Sequence, residues 1–439
     1  MGKLGLIAFG HEDYKGNNLD LILEELGKTL AEEAIYDQKI QTIVINSADA
    51  IGAARETIAS GIDGVVLLLA TWVECPVVMT AIKELTDIPV ILWGFPPEEI
   101  GGQAMSTGSY VSAAMLNGVL KRLSLKCRCL LGSCRDKETI KELKRFAAAA
   151  GAVRNLKYSA IGLVGYTSMA IYPGTFDHLL MRYIIGPEID QMDSYSVIRR
   201  TENLSSSEIE EAINKITFAG IFTDPVGTEI LRKTASIYAA LKKIAQERHW
   251  KAFNVKCQYE FSKEFGAVPC VPLSLLADEG FVSSCEGDIP CTVTMLLLHF
   301  LSGETVTYGD TLSHTGNTIK FSSCGFLPFN MGHGKREMEC FNHSGFSGIH
   351  TKFVMAAGPV TFARIVEDIG TYHLLYGTGR GKETVLRDGC MPALDVELDG
   401  SAGNFVKEYA GQHYALCYGD KSGELEHYAS LMGIKAVRV

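Results

Sequence analysis

Short apolar runs alternate with segments of helical spacing through the first third of the chain. The runs with the flat apolar character of buried parallel strands are Leu4–Phe9, Ile40–Ile45, Gly64–Ala70, Pro89–Gly94 and Cys127–Gly132. The segments with helical spacing are Leu19–Glu33, Ala48–Ser60, Val77–Leu85, Tyr110–Leu123 and Lys137–Ala150. This alternation predicts a doubly wound parallel sheet. Ligands of such sheets bind beyond the carboxyl ends of the strands, which here are Gly10–Tyr14, Thr71–Cys75 and Phe95–Glu99.

A second series of strands and helices follows, and the pattern changes again after about Leu301. The second series comprises Ile161–Tyr166, Ile198–Thr201, Ser205–Lys215, Gly227–Arg248, Ala252–Cys257 and Gly280–Ser284. Alternating polar and apolar positions then predict antiparallel strands at Val306–Tyr308, Thr318–Ser322, Thr351–Ala356, Thr361–Glu367 and Met391–Leu398. We therefore predict an α/β protein with two tandem Rossmann-like (flavodoxin-like) domains, residues 1–157 and 158–300, and a C-terminal antiparallel β-barrel-like domain, residues 301–439.

Composition and charge narrow the class of protein. The chain has 439 residues, 47% of them apolar, and its formal net charge is −10, which disfavours nucleic acid and anionic membranes as partners. The N-terminus lacks a cleavable signal pattern, and the longest apolar stretch, around Val65–Trp72, is too short to span a bilayer. We expect a cytoplasmic protein whose twelve cysteines are reduced thiols.

Two cofactor classes are disfavoured by the sequence. No G-x-G-x-x-G follows the first strand, which argues against a dinucleotide site and a nicotinamide oxidoreductase. Cys127, Cys129 and Cys134 come closest to a cysteine cluster, but a C-x-C spacing on a strand is poor geometry for zinc. We expect these three residues to be buried thiols.

Three polar residues at strand ends are candidates for chemistry. Glu286 lies between a predicted strand and an apolar helix, whereas its neighbour Asp288 is explained as the cap of that helix. Asp310 follows a predicted strand 24 positions later, and His413 opens an apolar strand near the C-terminus. Taken singly, Asp310 also suits a turn and His413 a structural histidine. Together, two carboxylates and a neutral imidazole suit a divalent ion with open coordination positions.

Five segments, in order over nearly the whole chain, resemble the L-fucose isomerase and L-arabinose isomerase family. They are Thr71-Trp72, Ile91–Phe95 (ILWGF), Ile161–Arg200 (IGLVGYTSM onwards), Cys285–Met295 (CEGD…TM) with Asp310, and Gln412–Ile434 (QH…YGD…LMGI). The resemblance implies Glu286, Asp310 and His413 as ligands of a divalent metal, usually Mn²⁺, with Glu286 and Asp310 also catalytic. It offers Gln258 and Ser323 as further substrate contacts.

The family's reaction interconverts an aldose and a ketose through an enediolate. The resemblance implies a monosaccharide substrate, an aldopentose or deoxyhexose such as L-fucose, L-arabinose or D-arabinose. Glu286 and Asp310 would move the protons, and His413 must be neutral to bind metal, so activity should fall as the pH drops through the histidine range.

The sequence also departs from the fucose enzymes, which carry an arginine after the first strand and an asparagine before the metal histidine. Here His11 and Gln412 stand at those places, and we count both as substrate-binding candidates. A sulfonated hexose, sulfoquinovose, is the alternative substrate, since Lys15 and His11 place basic groups near the first strand. A non-catalytic sugar-binding or regulatory protein is the alternative class, and it would not need Glu286, Asp310 and His413 together.

The resemblance further implies that the pocket is shared between subunits. Trp72 lies far in sequence from Glu286, Asp310 and His413, and in the family a tryptophan of the neighbouring subunit's first domain closes the pocket. We expect a homo-oligomer, a trimer or a hexamer, with a small sugar as its partner molecule.

Overall fold

The fold was analysed in a computed structural model that describes residues 2–14, 17–36, 43–100, 103–341, 346–386 and 392–439. The chain divides into two compact units. Unit 1 comprises residues 1–154 and 423–434, and unit 2 comprises residues 155–422 and 435–439. The predicted boundary at residue 157 falls close to the first division, and the predicted boundary at residue 300 falls inside unit 2.

Unit 1 contains a five-stranded parallel sheet. Its order is Ile43–Val44, Leu4–Phe9, Gly64–Leu69, Val90–Gly94 and Cys127–Leu131. Its helices are Asn17–Glu32, Ser47–Ala59, Cys75–Glu84, Ser109–Arg122, Lys137–Lys157 (which extends into unit 2) and Ser422–Met432, whose first residue also belongs to unit 2. The strand Gly64–Leu69 is buried throughout, as expected of a central parallel strand. Residues 40–42 of the predicted strand Ile40–Ile45 lie outside the described residues, and a short pair, Glu98–Ile100 and Gln103–Met105, was not predicted.

The first sheet of unit 2 has four parallel strands. Their order is Val282–Cys285, Trp250–Val255, Ala160–Val164 and Glu188–Met192. The α-helices of this part are His178–Leu180, Ser194–Glu202, Ser206–Ala219, Thr228–Glu247, Cys270–Asp278 and Ile289–Ser302. The segment Ile198–Thr201 is therefore helical, because the carboxylate of Asp193 caps a helix that begins at Ser194.

The second large sheet of unit 2 has seven strands and is mostly antiparallel. Its order is Gly358–Asp368, His413–Tyr418, Thr307–Thr315, Thr318–Ser322, Ala393–Leu398, Thr371–Lys382 and, in parallel, Lys435–Arg438. Smaller sheets join Ile221–Phe222, Glu337–Phe341 and Gly348–Thr351, and pair Gly332–His333 with Val354–Met355. A short helix, Ala402–Lys407, precedes the strand that begins at His413.

The long strand Thr371–Lys382 escaped sequence analysis because glycines occupy alternate positions near its end. A Cβ atom at Gly377 would lie 2.4 Å from the ring of Phe362 on the partner strand, and one at Gly379 would lie 2.4 Å from the carbonyl of Glu397. The glycines therefore permit close strand packing but remove the apolar alternation that marks a strand.

The buried helix Ile289–Ser302 links the two sheets of unit 2. Its residues from Ile289 to Leu298 are all buried, which is typical of a helix covered on every side. It packs against the strands that begin at Gly358 and His413. The structure thus confirms a mixed α/β protein with parallel sheets and a separate, mainly antiparallel sheet. Among the described residues, no helix combines the length and apolar character needed to cross a membrane.

Candidate active site

Strand ends and strand register bring Glu286, Asp310 and His413 together in unit 2. Glu286 follows the strand Val282–Cys285 directly, at the carboxyl end of the parallel sheet. Asp310 and His413 are directly opposite each other in the antiparallel pair of the second sheet. The Nε2 atom of His413 lies 3.4 Å from Oε2 of Glu286 and 3.3 Å from Oδ1 of Asp310. We call these three residues the metal triad.

The turn that carries Glu286 has an uncommon backbone. Glu286 has φ 72° and Gly287 has φ 73°, so two successive residues adopt the left-handed region. A Cβ atom at Gly287 would lie 2.4 Å from the carbonyl oxygen of Tyr166, which explains the glycine. The backbone N–H of Glu286 donates to the carbonyl of Val255, and its carbonyl accepts from Ser168. Strained backbone held by such bonds is typical of functional sites.

A buried asparagine, Asn254, holds the same turn through hydrogen bonds. The Oδ1 atom of Asn254 accepts a hydrogen bond of 2.6 Å from the N–H of Gly287. Its Nδ2 atom donates to the hydroxyls of Ser284 and Thr292, each at 3.0 Å. Because all these groups are buried, the network holds the direction in which the Glu286 side chain leaves the sheet.

Asp288 does more than cap a helix, which is the role that sequence analysis assigned to it. Its Oδ1 atom does accept from the N–H of Cys291, at 3.0 Å. Its Oδ2 atom also accepts from Nδ1 of His413 at 2.9 Å and forms an ion pair with Arg364 at the same distance. A histidine that donates Nδ1–H to a carboxylate presents the lone pair of Nε2, the atom that would bind a metal.

Arg364 completes this arrangement and was missed by sequence analysis. Its two terminal nitrogens contact the two oxygens of Asp288, at 2.9 and 3.2 Å. It also donates to the backbone carbonyls of His413 and Pro173. Arg364 and Asp288 are each 1% exposed. The available signal was an arginine with two apolar residues on each side within a predicted strand, since a buried charge requires a partner.

The charges around His413 set the protonation states of the site. Burial raises the pKa of Asp288, but Arg364 and His413 outweigh it and lower that pKa to about 2. Burial likewise raises the pKa of Glu286, yet His413 and Cys324 bring it below its ordinary value. Burial lowers the pKa of His413, and the neighbouring carboxylates of Asp288, Asp310 and Glu286 raise it well above the usual range. Without a metal, Glu286 and Asp288 are therefore ionised and the imidazole of His413 is protonated.

Two observations indicate that the metal triad is suited to a divalent ion. The Nε2 atom of His413 is buried and makes no hydrogen bond within the described part of the chain, although it faces two carboxylates. The two carboxylates are ion-pair partners only while the imidazole is protonated; a neutral imidazole leaves this buried nitrogen without a partner among the described residues, which is costly and which a bound cation would relieve. Two carboxylates and one imidazole also form a donor set suited to Mn²⁺ and similar ions.

The other predicted substrate contacts in unit 2 differ in their surroundings. Gln258 is 4% exposed, and its buried Oε1 atom has no hydrogen-bond partner among the described residues. The hydroxyl of Ser323 already donates to the carbonyl of Phe326. Gln412 is half-buried and directly precedes His413. Its backbone carbonyl accepts a hydrogen bond from the N–H of Thr311, the residue after Asp310. Gln258 is thus the residue with a free acceptor.

His11 and Trp72 both belong to unit 1, where Thr71 connects them. The hydroxyl oxygen of Thr71 accepts from the backbone N–H of His11, at 2.9 Å, and donates to the carbonyl of Trp72, at 2.8 Å. Both side chains are partly exposed at the carboxyl end of the unit 1 sheet. This is the edge of the sheet at which a ligand site was predicted.

Comparison with known proteins points to sugar isomerases. No protein-family model matches the chain. It is 23% identical to the sulfoquinovose isomerase of Alkalicoccus urumqiensis over 407 residues, which cover 90% of both chains. It is 24% identical to the sulfoquinovose isomerases of Priestia aryabhattai and Priestia megaterium over 369 residues, 81% of each chain. These relatives confirm the predicted enzyme class, an intramolecular oxidoreductase that interconverts aldoses and ketoses.

Proposed function

We propose that the protein is a metal-dependent isomerase of a sulfonated hexose, sulfoquinovose, with Glu286, Asp310 and His413 at its active site. The observation that carries the proposal is the convergence of both carboxylates on the buried Nε2 atom of His413, which makes no hydrogen bond to any described residue. The relatives named above support the sugar, because they match the chain over most of its length.

The two carboxylates would move the protons of the reaction. One removes the proton from the carbon next to the carbonyl, and the other transfers a proton between the neighbouring oxygens. His413 lies within 3.4 Å of both, so both carboxylates would reach a single substrate bound there. The turn around Glu286 and the strand register at Asp310 hold these groups without further adjustment.

A divalent ion, Mn²⁺ by the family resemblance, would be held by Glu286, Asp310 and His413. When bound there, such an ion supplies Lewis-acid stabilisation of negative charge on the sugar oxygens. Asp288 keeps the proton of His413 on Nδ1, and Arg364 keeps Asp288 ionised. Gln258 would accept a hydroxyl of the sugar at its unpartnered Oε1 atom.

The sulfonate group requires a positive or hydrogen-bonding partner, and we propose, from the family resemblance, that His11 of a neighbouring subunit supplies part of it. Lys15, the other basic residue that sequence analysis considered, lies outside the described residues. The neutral aldoses L-fucose, L-arabinose and D-arabinose stay the second candidates, since the sequence resembles enzymes that use them.

Activity on a panel of sugars tests the reaction. The purified full-length protein is given sulfoquinovose or a neutral aldose with Mn²⁺, and ketose formation is followed. Glu286→Gln should lower kcat by about 10²–10⁴-fold, because it removes a proton acceptor. Glu304→Gln, at an exposed glutamate, is the matched control. Full activity in Glu286→Gln, or no turnover of any sugar by metal-loaded protein, would contradict the proposal and favour a non-catalytic sugar-binding protein.

We further propose, from the family resemblance, flavodoxin-like domains, a barrel-like C-terminal region and a trimeric or hexameric assembly in the cytoplasm. The pairing of Gly358–Asp368 with Thr371–Lys382, in addition to their other neighbours, supports a closed sheet.

If neighbouring subunits share the pocket, mixing Trp72→Ala chains with Glu286→Gln chains should restore some activity, because some pockets would combine an intact Trp72 with an intact Glu286. Verified mixed oligomers without any recovery would show that each chain builds its own pocket.

A further inference from the structure

Three cysteine thiols from three strand ends meet beside Glu286. Cys257 follows the strand Trp250–Val255, Cys285 ends the neighbouring strand, and Cys324 follows a strand of the antiparallel sheet. The sulfur atoms of Cys257 and Cys285 and a carboxylate oxygen of Glu286 all lie within 4.8 Å of one another. The thiol of Cys324 donates to Oε1 of Glu286 at 3.2 Å. We call Cys257, Cys285 and Cys324 the thiol cluster.

Cys257 and Cys285 have no part in the proposed reaction, and Cys324 acts on it only by helping to lower the pKa of Glu286. All three residues are free cysteines, and Cys257 and Cys285 are almost completely buried. Cys324 is half-buried, so the cluster is least covered on the side of that residue. The sequence predicts scattered core thiols, because the three residues are far apart along the chain.

We propose that the thiol cluster and Glu286 form a binding site for a thiophilic divalent cation such as Zn²⁺ or Cd²⁺. Thiolate sulfurs prefer such ions, and three sulfurs with one carboxylate oxygen complete a tetrahedral set. Bonds of about 2.3 Å place tetrahedral sulfur ligands about 3.8 Å apart. The sulfur atoms of Cys257 and Cys285 and the carboxylate oxygen of Glu286, which lie within 4.8 Å of one another, therefore need to move by no more than about 1 Å, and Cys324 already contacts the carboxylate of Glu286. Each thiol that binds releases its proton to the solvent.

This site would compete with the metal triad for one carboxylate. The Oε1 atom of Glu286 faces Cys324, and its Oε2 atom faces Nε2 of His413 at 3.4 Å. A cation held by the thiol cluster draws Glu286 towards sulfur and weakens the oxygen and nitrogen site. The expected result is loss of Mn²⁺ binding and inhibition by thiophilic cations. The inhibition rests on the proposed function, whereas cation binding at the cysteines does not.

Cadmium titration of the full-length protein tests the site. Binding through cysteine is observed as thiolate-to-cadmium charge-transfer absorption, which a site of oxygen and nitrogen ligands does not produce. We expect this absorption to saturate at one Cd²⁺ per chain. Cys257→Ser and Cys285→Ser should each weaken the binding by at least about tenfold. Cys127→Ser, at a free cysteine of unit 1, is the matched control and should titrate like the unchanged protein.

Two further measurements separate the outcomes. Cadmium-113 NMR of the unchanged protein counts the sulfur ligands even if a serine variant does not fold. A resonance typical of oxygen and nitrogen ligands alone, or serine variants that bind Cd²⁺ like the control, would overturn the inference. Mn²⁺ binding, followed by electron paramagnetic resonance, tests the metal triad separately. Sulfur-bound Cd²⁺ in a protein that never binds Mn²⁺ would overturn the proposed function and uphold the thiol site.

Discussion

The substitution Asp288→Asn tests whether a buried ion pair holds the active-site histidine. It removes the charge that pairs with Arg364 and that accepts the Nδ1–H of His413, at 2.9 Å in both cases. The helix cap at Cys291 should survive, because asparagine caps helices about as well as aspartate. Any loss therefore reports on the charge and not on the cap.

The expected loss of stability is large. Arg364 and Asp288 are each 1% exposed, and removing one partner of a buried pair costs about 3–5 kcal/mol. Arg364 keeps its bonds to the carbonyls of His413 and Pro173, so we expect the lower end, about 3 kcal/mol. If His413 binds Mn²⁺ as proposed, loss of the carboxylate that accepts its Nδ1–H should also weaken Mn²⁺ affinity by about 10–100-fold.

Urea unfolding of the metal-free protein and calorimetric titration with Mn²⁺ measure the two effects. The matched control is Asp193→Asn, which changes an exposed aspartate that caps the helix Ser194–Glu202 through Ser196. That control should stay within about 1 kcal/mol of the unchanged protein. If Asp288→Asn unfolds at the same urea concentration as the control and binds Mn²⁺ equally well, the ion pair neither stabilises the fold nor orients His413.

Four other predictions concern the site. Because the pKa of His413 is raised, Mn²⁺ must displace a proton from the imidazole to bind. The affinity for Mn²⁺ should therefore rise about tenfold per pH unit until that pKa is passed. An affinity for Mn²⁺ that is constant across the neutral range would contradict this prediction. The same proton stabilises the metal-free fold below about pH 6.5, and that stability should be lost as the pH rises through the raised pKa. Gly287→Ala should destabilise the protein and abolish activity, whereas Gly303→Ala, at φ 71° with open space, should cost only about 1–2 kcal/mol in unfolding experiments. Gln258→Met should raise KM without lowering the melting temperature, because the Oε1 atom has no hydrogen-bond partner among the described residues to lose, and an unchanged KM would exclude Gln258 as a sugar contact.

The pH prediction refines what the sequence alone suggested. An isolated histidine titrates near its ordinary pKa, which led us to expect activity to fall only within the usual histidine range. The structure surrounds His413 with Asp288, Asp310 and Glu286, and these charges shift its pKa upwards. Competition between the proton and a metal should therefore begin at a higher pH. Side-chain electrostatics of this kind depend on distances that a sequence does not contain.

Local features were predictable from the sequence because they depend on neighbouring residues. The strands Leu4–Phe9 and Thr318–Ser322 have the predicted bounds, since apolar runs and alternation are properties of short segments. Sequence and resemblance together also singled out Glu286, Asp310 and His413 before the structure showed them side by side. The strand Glu188–Met192 was missed, because its exposed polar residues hide the strand pattern.

Tertiary structure alone decided the contacts between distant parts of the chain. Antiparallel register places Asp310 opposite His413, and Asp288 reaches His413 across 125 positions of sequence. The partnership of Arg364 with Asp288 and the meeting of the three cysteines beside Glu286 have the same origin. Periodicity shows which face of a strand is buried, but it does not show which strand lies next to it. Packing of the whole unit decides which strands are neighbours. It thereby also decides which residues surround side chains such as Glu286.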